Sequence, residues 1–180
     1  YADIFSFAKG ISSGYMPLAA TMVQEHVFEK FYGDATTLNH FRQINTYGGH
    51  PVSTAVGLKN IEIIEAEKLD ENARKLGEYT LRQLRKSVGN HPWVGDIRGK
   101  GLLIGVELVS DRETKEPLED AKVGGVVAHC LQNGVIIGRN GNTVPGRCNV
   151  LIMAPPLVIQ PTDADRMVDA LRSALNQALN

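Results

Sequence analysis

Lys9 is the residue of this sequence whose surroundings best suit covalent chemistry. A short apolar segment ends at this lysine, and a glycine follows at once. Two turn residues, Gly14 and Pro17, then precede a second apolar segment over residues 18–23. This pattern predicts two strands joined by a tight exposed loop, with Lys9 at the end of the first strand. A lysine that apolar neighbours desolvate becomes an amine nucleophile that can form a Schiff base, although an ordinary surface lysine fits the same pattern.

A glycine-rich turn leads into the first long helix. Residues 45–51 read Asn-Thr-Tyr-Gly-Gly-His-Pro, and Pro51 is a favourable first residue of a helix. The N-terminal end of a helix offers free backbone N–H groups and the positive end of the helix dipole, which suits an anion such as phosphate. The same residues are common in turns that bind nothing, so the pattern indicates an anion site without establishing one.

Arg139 is a candidate for binding a carboxylate. It ends a predicted strand over residues 135–139. A guanidinium fixed at a strand end can hold a carboxylate through two parallel hydrogen bonds, which sets orientation as well as charge. An ordinary surface arginine fits the same position.

The first third of the chain surrounds these loops with short elements. We predict a short amphipathic helix over residues 24–31, then a long polar stretch over 33–49, whose length is typical of functional or mobile loops. From Pro51 to about Glu65 we predict a helix that is largely buried, because most of its positions are apolar.

The remainder of the chain predicts a second region. We expect a long amphipathic helix over residues 69–88, which Gly89 ends, and we place the domain change near Glu67. Glycine-punctuated strands follow within 93–109, where we expect Arg98 to pack or to form a salt bridge. The last elements are a helix over 121–132, a strand over 150–153 and a helix that Thr162 caps.

Composition excludes several classes of protein. The 180 residues are 43% hydrophobic and 22% charged, with a formal net charge of −1, which is ordinary for a globular protein with a real core. The basic residues are dispersed, so we expect no nucleic-acid partner. Neither a membrane span nor a signal peptide is predicted. Cys130 and Cys148 have no CxxC partners and the five histidines lack metal-ligand spacing, so we expect free thiols, a cytoplasmic location and no metal site.

Three segments together resemble one family. Phe-Ala-Lys-Gly-Ile-Ser-Ser-Gly-Tyr-Met-Pro-Leu, residues 7–18, is similar to the cofactor-lysine segment of the class III, omega-amino-acid type, pyridoxal-phosphate aminotransferases. Residues 45–51 resemble the family's Thr-Tyr-x-Gly-His-Pro turn, and 97–108 resemble its Arg-Gly-x-Gly-Leu segment. The resemblance covers essentially the whole chain and places the three motifs in the right order.

The resemblance implies an α/β fold-type I pyridoxal-phosphate-dependent transferase. Residues 1–66 would be the C-terminal part of a large cofactor domain with a mostly parallel sheet, and 67–180 the α+β small domain. Lys9 would hold pyridoxal 5'-phosphate as a Schiff base and carry the proton during transfer. Thr46 would reach the cofactor phosphate of the neighbouring subunit, which implies a homodimer with shared active sites. Arg139 would bind the substrate carboxylate, with Arg147 as its alternative.

The implied reaction moves an amino group from an omega-amino acid, an amine or a taurine-like donor to a 2-oxo acid, with pyruvate expected. An aminomutase or decarboxylase of the same fold, or a non-catalytic dimerising piece, is an alternative. The chain opens on Tyr1 without an initiator methionine, and the family places the phosphate loop, the ring-stacking aromatic residue and the aspartate for the pyridine nitrogen upstream of the lysine. We therefore expect a C-terminal portion of an enzyme that is inactive alone.

Overall fold

The computed structural model of the protein describes residues 2–141 and 144–178. The chain divides into two compact units, Tyr1–Glu67 and Lys68–Asn180, called unit 1 and unit 2 below. None of the helices in the described residues is both long enough and apolar enough to cross a membrane.

Unit 1 begins with a pair of short antiparallel strands. Strand β1 (Ile4–Phe7) pairs with β2 (Ala20–Val23), and the two strands bracket the segment that contains Lys9. The predicted order of strand, tight loop and strand is therefore found. The mostly parallel sheet that the resemblance implies is not formed by these residues, because their one pair of strands is antiparallel.

Helices make up the rest of unit 1. The helix predicted over 24–31 is interrupted: α1 (Glu25–Phe28) is a single α-helical turn, and residues 29–31 continue as a 3-10 turn. Another 3-10 turn, over residues 35–37, lies in the long polar stretch. Helix α2 (Pro51–Ala66) begins at the predicted proline.

The prediction that α2 is largely buried is wrong within the described residues. Only Ser53 and Gly57 of this helix are buried, whereas Val52 and Leu58 are 54% and 65% exposed. The apolar side chains lie around the whole helix rather than along one stripe, so burying them requires neighbours on several sides. The described part of unit 1 does not supply those neighbours.

Unit 2 packs three helices on one face of an antiparallel sheet. Helix α3 (Leu69–Val88) has the predicted bounds, and strands β3 (Val94–Lys100) and β4 (Leu103–Leu108) form a hairpin. The remaining elements, in chain order, are α4 (Asp120–Gln132), β5 (Gly138–Arg139), β6 (Val150–Met153) and α5 (Pro161–Ala178). The strand order is β3-β4-β6-β5, so β3 and β5 are the edges.

The core of unit 2 lies between this sheet and its helices. Leu84 of α3, Val106 of β4, Leu151 of β6 and Leu171 of α5 are completely buried within one hydrophobic cluster, to which α4 contributes Val126. Alternate residues of β4 point into the cluster, as expected for a sheet with one covered face. Hydrophobic burial of this kind is the main stabilising contribution to folding.

Two predicted boundaries in unit 2 need correction. The strand expected over 135–139 is paired only at Gly138 and Arg139, because the N–H of Val135 still bonds the carbonyl of Cys130 and completes the end of α4. The last helix begins at Pro161, so Thr162 lies inside it and is not its cap. The Asp163 carboxylate accepts the backbone N–H of Gln160 at 2.9 Å at this helix start.

Proteolysis should separate the two units. Every buried hydrophobic residue among those described lies in unit 2, so local opening of unit 1 costs less free energy. In limited digestion of the 180-residue chain with trypsin, we expect the first cuts within 33–49, at Arg42, and a surviving fragment that begins near Lys68. Mass spectrometry of timed samples measures this order, and equal survival of peptides from both units would contradict it.

Candidate cofactor and substrate site

Lys9 lies in a strained, exposed loop. It is the second residue after β1 and the first of a 3-10 turn over Lys9–Ser12. Its φ angle of 53° is positive, as are those of Ser13 and Gly14 at 50° and 77°. Positive φ at a non-glycine residue costs about 1–2 kcal/mol. Such residues persist only where surrounding contacts fix them, and they concentrate at functional sites.

The side chain of Lys9 is exposed. Apolar neighbours that would desolvate its amine are not found among the described residues. The loop next to it is better enclosed: Ser12 is 1% exposed and its hydroxyl donates to the carbonyl of Met16 at 2.7 Å. The loop therefore has a fixed interior and presents its lysine outward.

Helix α2 holds this loop through Asn60. The side-chain amide donates to the carbonyls of Gly10 at 2.9 Å and Ile11 at 3.1 Å. Its oxygen accepts the hydroxyl of Ser13 at 2.7 Å. Sequence reasoning missed Asn60, because it lies 47–50 residues from its partners and has no local motif.

The glycine-rich turn has the features of an anion site. Thr46 lies in it and is exposed, and Gly49 has a φ of 69° that favours glycine. His50 is the N-cap residue of α2, and its side chain makes no capping hydrogen bond. The first N–H groups of a helix have no partner within the helix, so they remain available to a negatively charged group here.

Arg139 lies at the sheet edge in unit 2 and is paired. Its Nη1 lies 2.8 Å from Oδ1 of Asp120, the first residue of α4. The Arg139 side chain is 38% exposed and that of Asp120 is 71% exposed. Both line a pocket of about 460 Å³ together with Glu116 and Glu119. The guanidinium therefore already has an internal carboxylate partner.

Arg147 differs from Arg139 in its surroundings. It is exposed in the loop before β6, where its carbonyl accepts the Asn140 side chain at 2.6 Å. Within residues 2–141 and 144–178 its guanidinium makes no ion pair. Arg139 is therefore a candidate on a strand with an ion-pair partner, whereas Arg147 is a candidate in a loop without an ion pair among the described residues.

Arg98 has the structural role expected from the sequence. Its Nη1 lies 2.8 Å from Asp96 and 2.7 Å from Glu107, across the β3–β4 hairpin. Hydrogen bonds to Asp96 and Glu107 raise the pKa of Arg98. The prediction of a salt-bridge residue is confirmed.

A family model supplies the identification that these features suggest. The model of aminotransferase class-III matches residues 1–175 of this chain. The chain belongs to the class-III aminotransferases. This agrees with the resemblance noted in the sequence and establishes a fold-type I transferase.

Curated relatives and solved structures support this membership. The chain is 47% identical over 172 residues to an uncharacterized aminotransferase, YhxA, of Bacillus subtilis, and 42% identical over 176 residues to a taurine–pyruvate aminotransferase of Rhodobacter capsulatus. These alignments cover 96% and 97% of this chain and 38% of each relative. A crystal structure of a Bacillus anthracis aminotransferase is 48% identical with a TM-score of 0.93, covering 97% of this chain and 39% of that one.

Class-III aminotransferases depend on pyridoxal phosphate, and unit 1 fits two parts of that cofactor. The exposed amine of Lys9 suits its aldehyde carbon, and the uncapped start of α2 with the Thr46 hydroxyl suits its phosphate. No residue with a role in binding the pyridine ring is identified among the described residues.

Proposed function

We propose that this chain carries the cofactor lysine and the substrate arginine of an aminotransferase that uses pyridoxal 5'-phosphate. The amino group would pass from an omega-amino acid, an amine or a taurine-like donor to a 2-oxo acid, with pyruvate as the expected acceptor. The observation that carries the proposal is the strained loop of Lys9, which Asn60 of α2 holds. The N-terminus of the same helix follows the glycine-rich turn that contains Thr46. The Rhodobacter capsulatus relative, a taurine–pyruvate aminotransferase, supports this choice of substrates.

Lys9 performs two tasks in this proposal. Its Nζ attaches the cofactor between turnovers, and when it is free it removes the proton from the substrate Cα as a general base. When bound, the cofactor supplies the electron sink for that step. The exposed position of Lys9 near the start of the β1–β2 connection leaves its amine accessible for both tasks.

Thr46 and the start of α2 bind phosphate in this proposal. The hydroxyl donates one hydrogen bond, and the free N–H groups with the positive helix end stabilise the negative charge. By resemblance, the phosphate bound here belongs to the cofactor of the neighbouring subunit. We therefore propose a homodimer in which each active site takes Lys9 from one subunit and Thr46 from the other.

Arg139 binds the carboxylate or sulfonate of the substrate in this proposal. A guanidinium has five N–H donors in a planar fork, and Asp120 engages only Nη1. Exposed ion pairs contribute about 0–1 kcal/mol, so Asp120 can turn towards solvent at small cost when a substrate acid arrives. We prefer Arg139 to Arg147 because the paired strand fixes its backbone.

We also propose a cytoplasmic location. Cys130 is buried and forms no disulfide with Cys148. Free thiols are typical of a reducing compartment.

Covalent trapping tests the role of Lys9. The complete gene product that contains this chain is incubated with pyridoxal phosphate, reduced with borohydride and digested. We expect mass spectrometry to find the pyridoxyl group on Lys9. Lys9→Ala should lose this label and lower kcat by at least about 10³-fold, because it removes both the attachment point and the base.

Lys68→Ala is the matched control for this experiment. Lys68 is also exposed and also has a positive φ, 51°, but lies at the start of α3. We expect this variant to keep wild-type labelling and turnover. A reproducible pyridoxyl group on another lysine, with Lys9 unlabelled, would overturn the proposed function.

Substitutions in unit 2 test the substrate arginine. Arg139→Ala should raise KM for pyruvate by about 10–100-fold, because hydrogen bonds to charged groups contribute about 1.5–3 kcal/mol. Asp120→Asn should lower that KM by up to about 5-fold, because it removes a competing exposed carboxylate. Neither change should alter KM for an uncharged aldehyde acceptor. Steady-state kinetics decide the assignment, and a larger effect of Arg147→Ala would transfer the role to Arg147.

Subunit mixing tests the shared active site. Lys9→Ala and Thr46→Val each damage both sites of their own homodimer. A mixed dimer has one doubly damaged site and one intact site, so we expect mixing after mild dissociation to recover up to about a quarter of wild-type activity for random pairing. Sedimentation confirms the dimers, and an absence of recovery in verified mixed dimers would refute sharing.

A further inference from the structure

Asn60 controls the backbone that follows Lys9. Its two donated hydrogen bonds end on the carbonyls of Gly10 and Ile11, the two residues directly after the lysine. Fixing these carbonyls fixes the Gly10–Ile11 and Ile11–Ser12 peptide planes, which begin one residue after Lys9, and thereby restricts the direction in which the Lys9 side chain leaves the loop. We infer that Asn60 is a positioning residue for Lys9, acting through the loop without touching cofactor or substrate.

The chemistry of the amide suits this role. A primary amide has two N–H donors and one carbonyl acceptor, and Asn60 uses the donor nitrogen for two carbonyls and the acceptor for the hydroxyl of Ser13. A carboxylate of the same shape accepts only, so it would face two carbonyl oxygens without a proton between them. An isosteric change from amide to acid therefore removes both donated bonds and adds repulsion.

The loop needs such a support. Lys9, Ser13 and Gly14 have positive φ angles within six residues. Asn60 is half-buried on α2, where Gly57 lies one helical turn earlier and is buried against the side chain of Leu18. A rigid helix therefore holds the strained loop from one side. Fixing this loop fixes the position of the Lys9 amine. This matters because small displacements of a reacting group reduce catalysis strongly.

Unit 2 contains a matched control for this contact. The amide of Asn72 on α3 donates to the carbonyls of Leu157 at 2.6 Å and Ile159 at 3.2 Å. Like Asn60, it is a half-buried helical asparagine that holds a distant loop by two carbonyls. It differs in holding no lysine loop. Asn72→Asp removes the same kind of bonds as Asn60→Asp and reports their purely structural effect.

The test uses the complete gene product loaded with pyridoxal phosphate. We expect Asn60→Asp to raise the pyridoxal-phosphate concentration that half-saturates borohydride labelling of Lys9 by about 10-fold and to lower kcat about as much, with KM for pyruvate unchanged. Asn72→Asp should lower the melting temperature about as much as Asn60→Asp does. It should change labelling and kcat by less than about 2-fold. Asn60→Gln keeps the donors on a longer side chain and should lower kcat by about 3-fold at wild-type melting temperature.

The outcomes separate this inference from the proposed function on which it rests. Absence of a label on Lys9 in the wild type would refute the proposed function. A labelled wild type with Asn60→Asp no different from Asn72→Asp would refute the role of Asn60 alone. If Asn60→Asp does not fold, Asn60→Gln decides: wild-type kcat and half-saturation would overturn the inference, and the expected decrease supports it.

Discussion

The contact between one asparagine of α2 and the loop of Lys9 is the constraint on which unit 1 depends. The loop holds Lys9 and Ser13 at positive φ, at a cost of about 2–4 kcal/mol together. The three hydrogen bonds of Asn60 contribute about 1.5–4.5 kcal/mol in total. These two magnitudes are comparable, so the hydrogen bonds of Asn60 can offset the strain of the conformation that presents the lysine.

Helix α2 also connects the glycine-rich turn to the loop of Lys9, two features that serve different active sites in the proposed homodimer. Its N-terminus receives the glycine-rich turn with Thr46, and its middle carries Asn60. Because a helix is stiff, a shift of either feature moves the other. The exposed apolar side chains around α2, such as Val52 and Leu58, give unit 1 no core of its own among the described residues. Unit 2, by contrast, encloses Leu84, Val106 and Leu171 in a continuous cluster.

The sequence predicted local features better than contacts between distant residues. Helix α3 and strand β6 have their predicted bounds, because a long 3.6-residue periodicity and a short apolar segment are both local signals. The loop of Lys9 followed from turn residues. Asn60 could not be found in this way, since its partners are some 50 residues away. The prediction that α2 is largely buried was wrong, because an apolar composition shows that a helix needs apolar neighbours but does not show that the described residues provide them.

The pairing of Arg139 with Asp120 shows why residue type alone did not describe the surroundings of the proposed substrate arginine. An arginine at a strand end was identified from sequence, but its charge is already balanced by a carboxylate at the start of α4, where the helix dipole also favours a negative group. Glu116 and Glu119 line the same pocket. An incoming acid therefore meets these carboxylates and that of Asp120 as well as the Arg139 guanidinium. In the proposed role of Arg139, binding of an acidic substrate would exchange one carboxylate for another. An uncharged substrate leaves the internal pair intact. With the proposed role of Arg139, this arrangement would accept both classes of substrate without leaving the arginine unpaired, and Asp120 would modulate the selectivity that Arg139 sets.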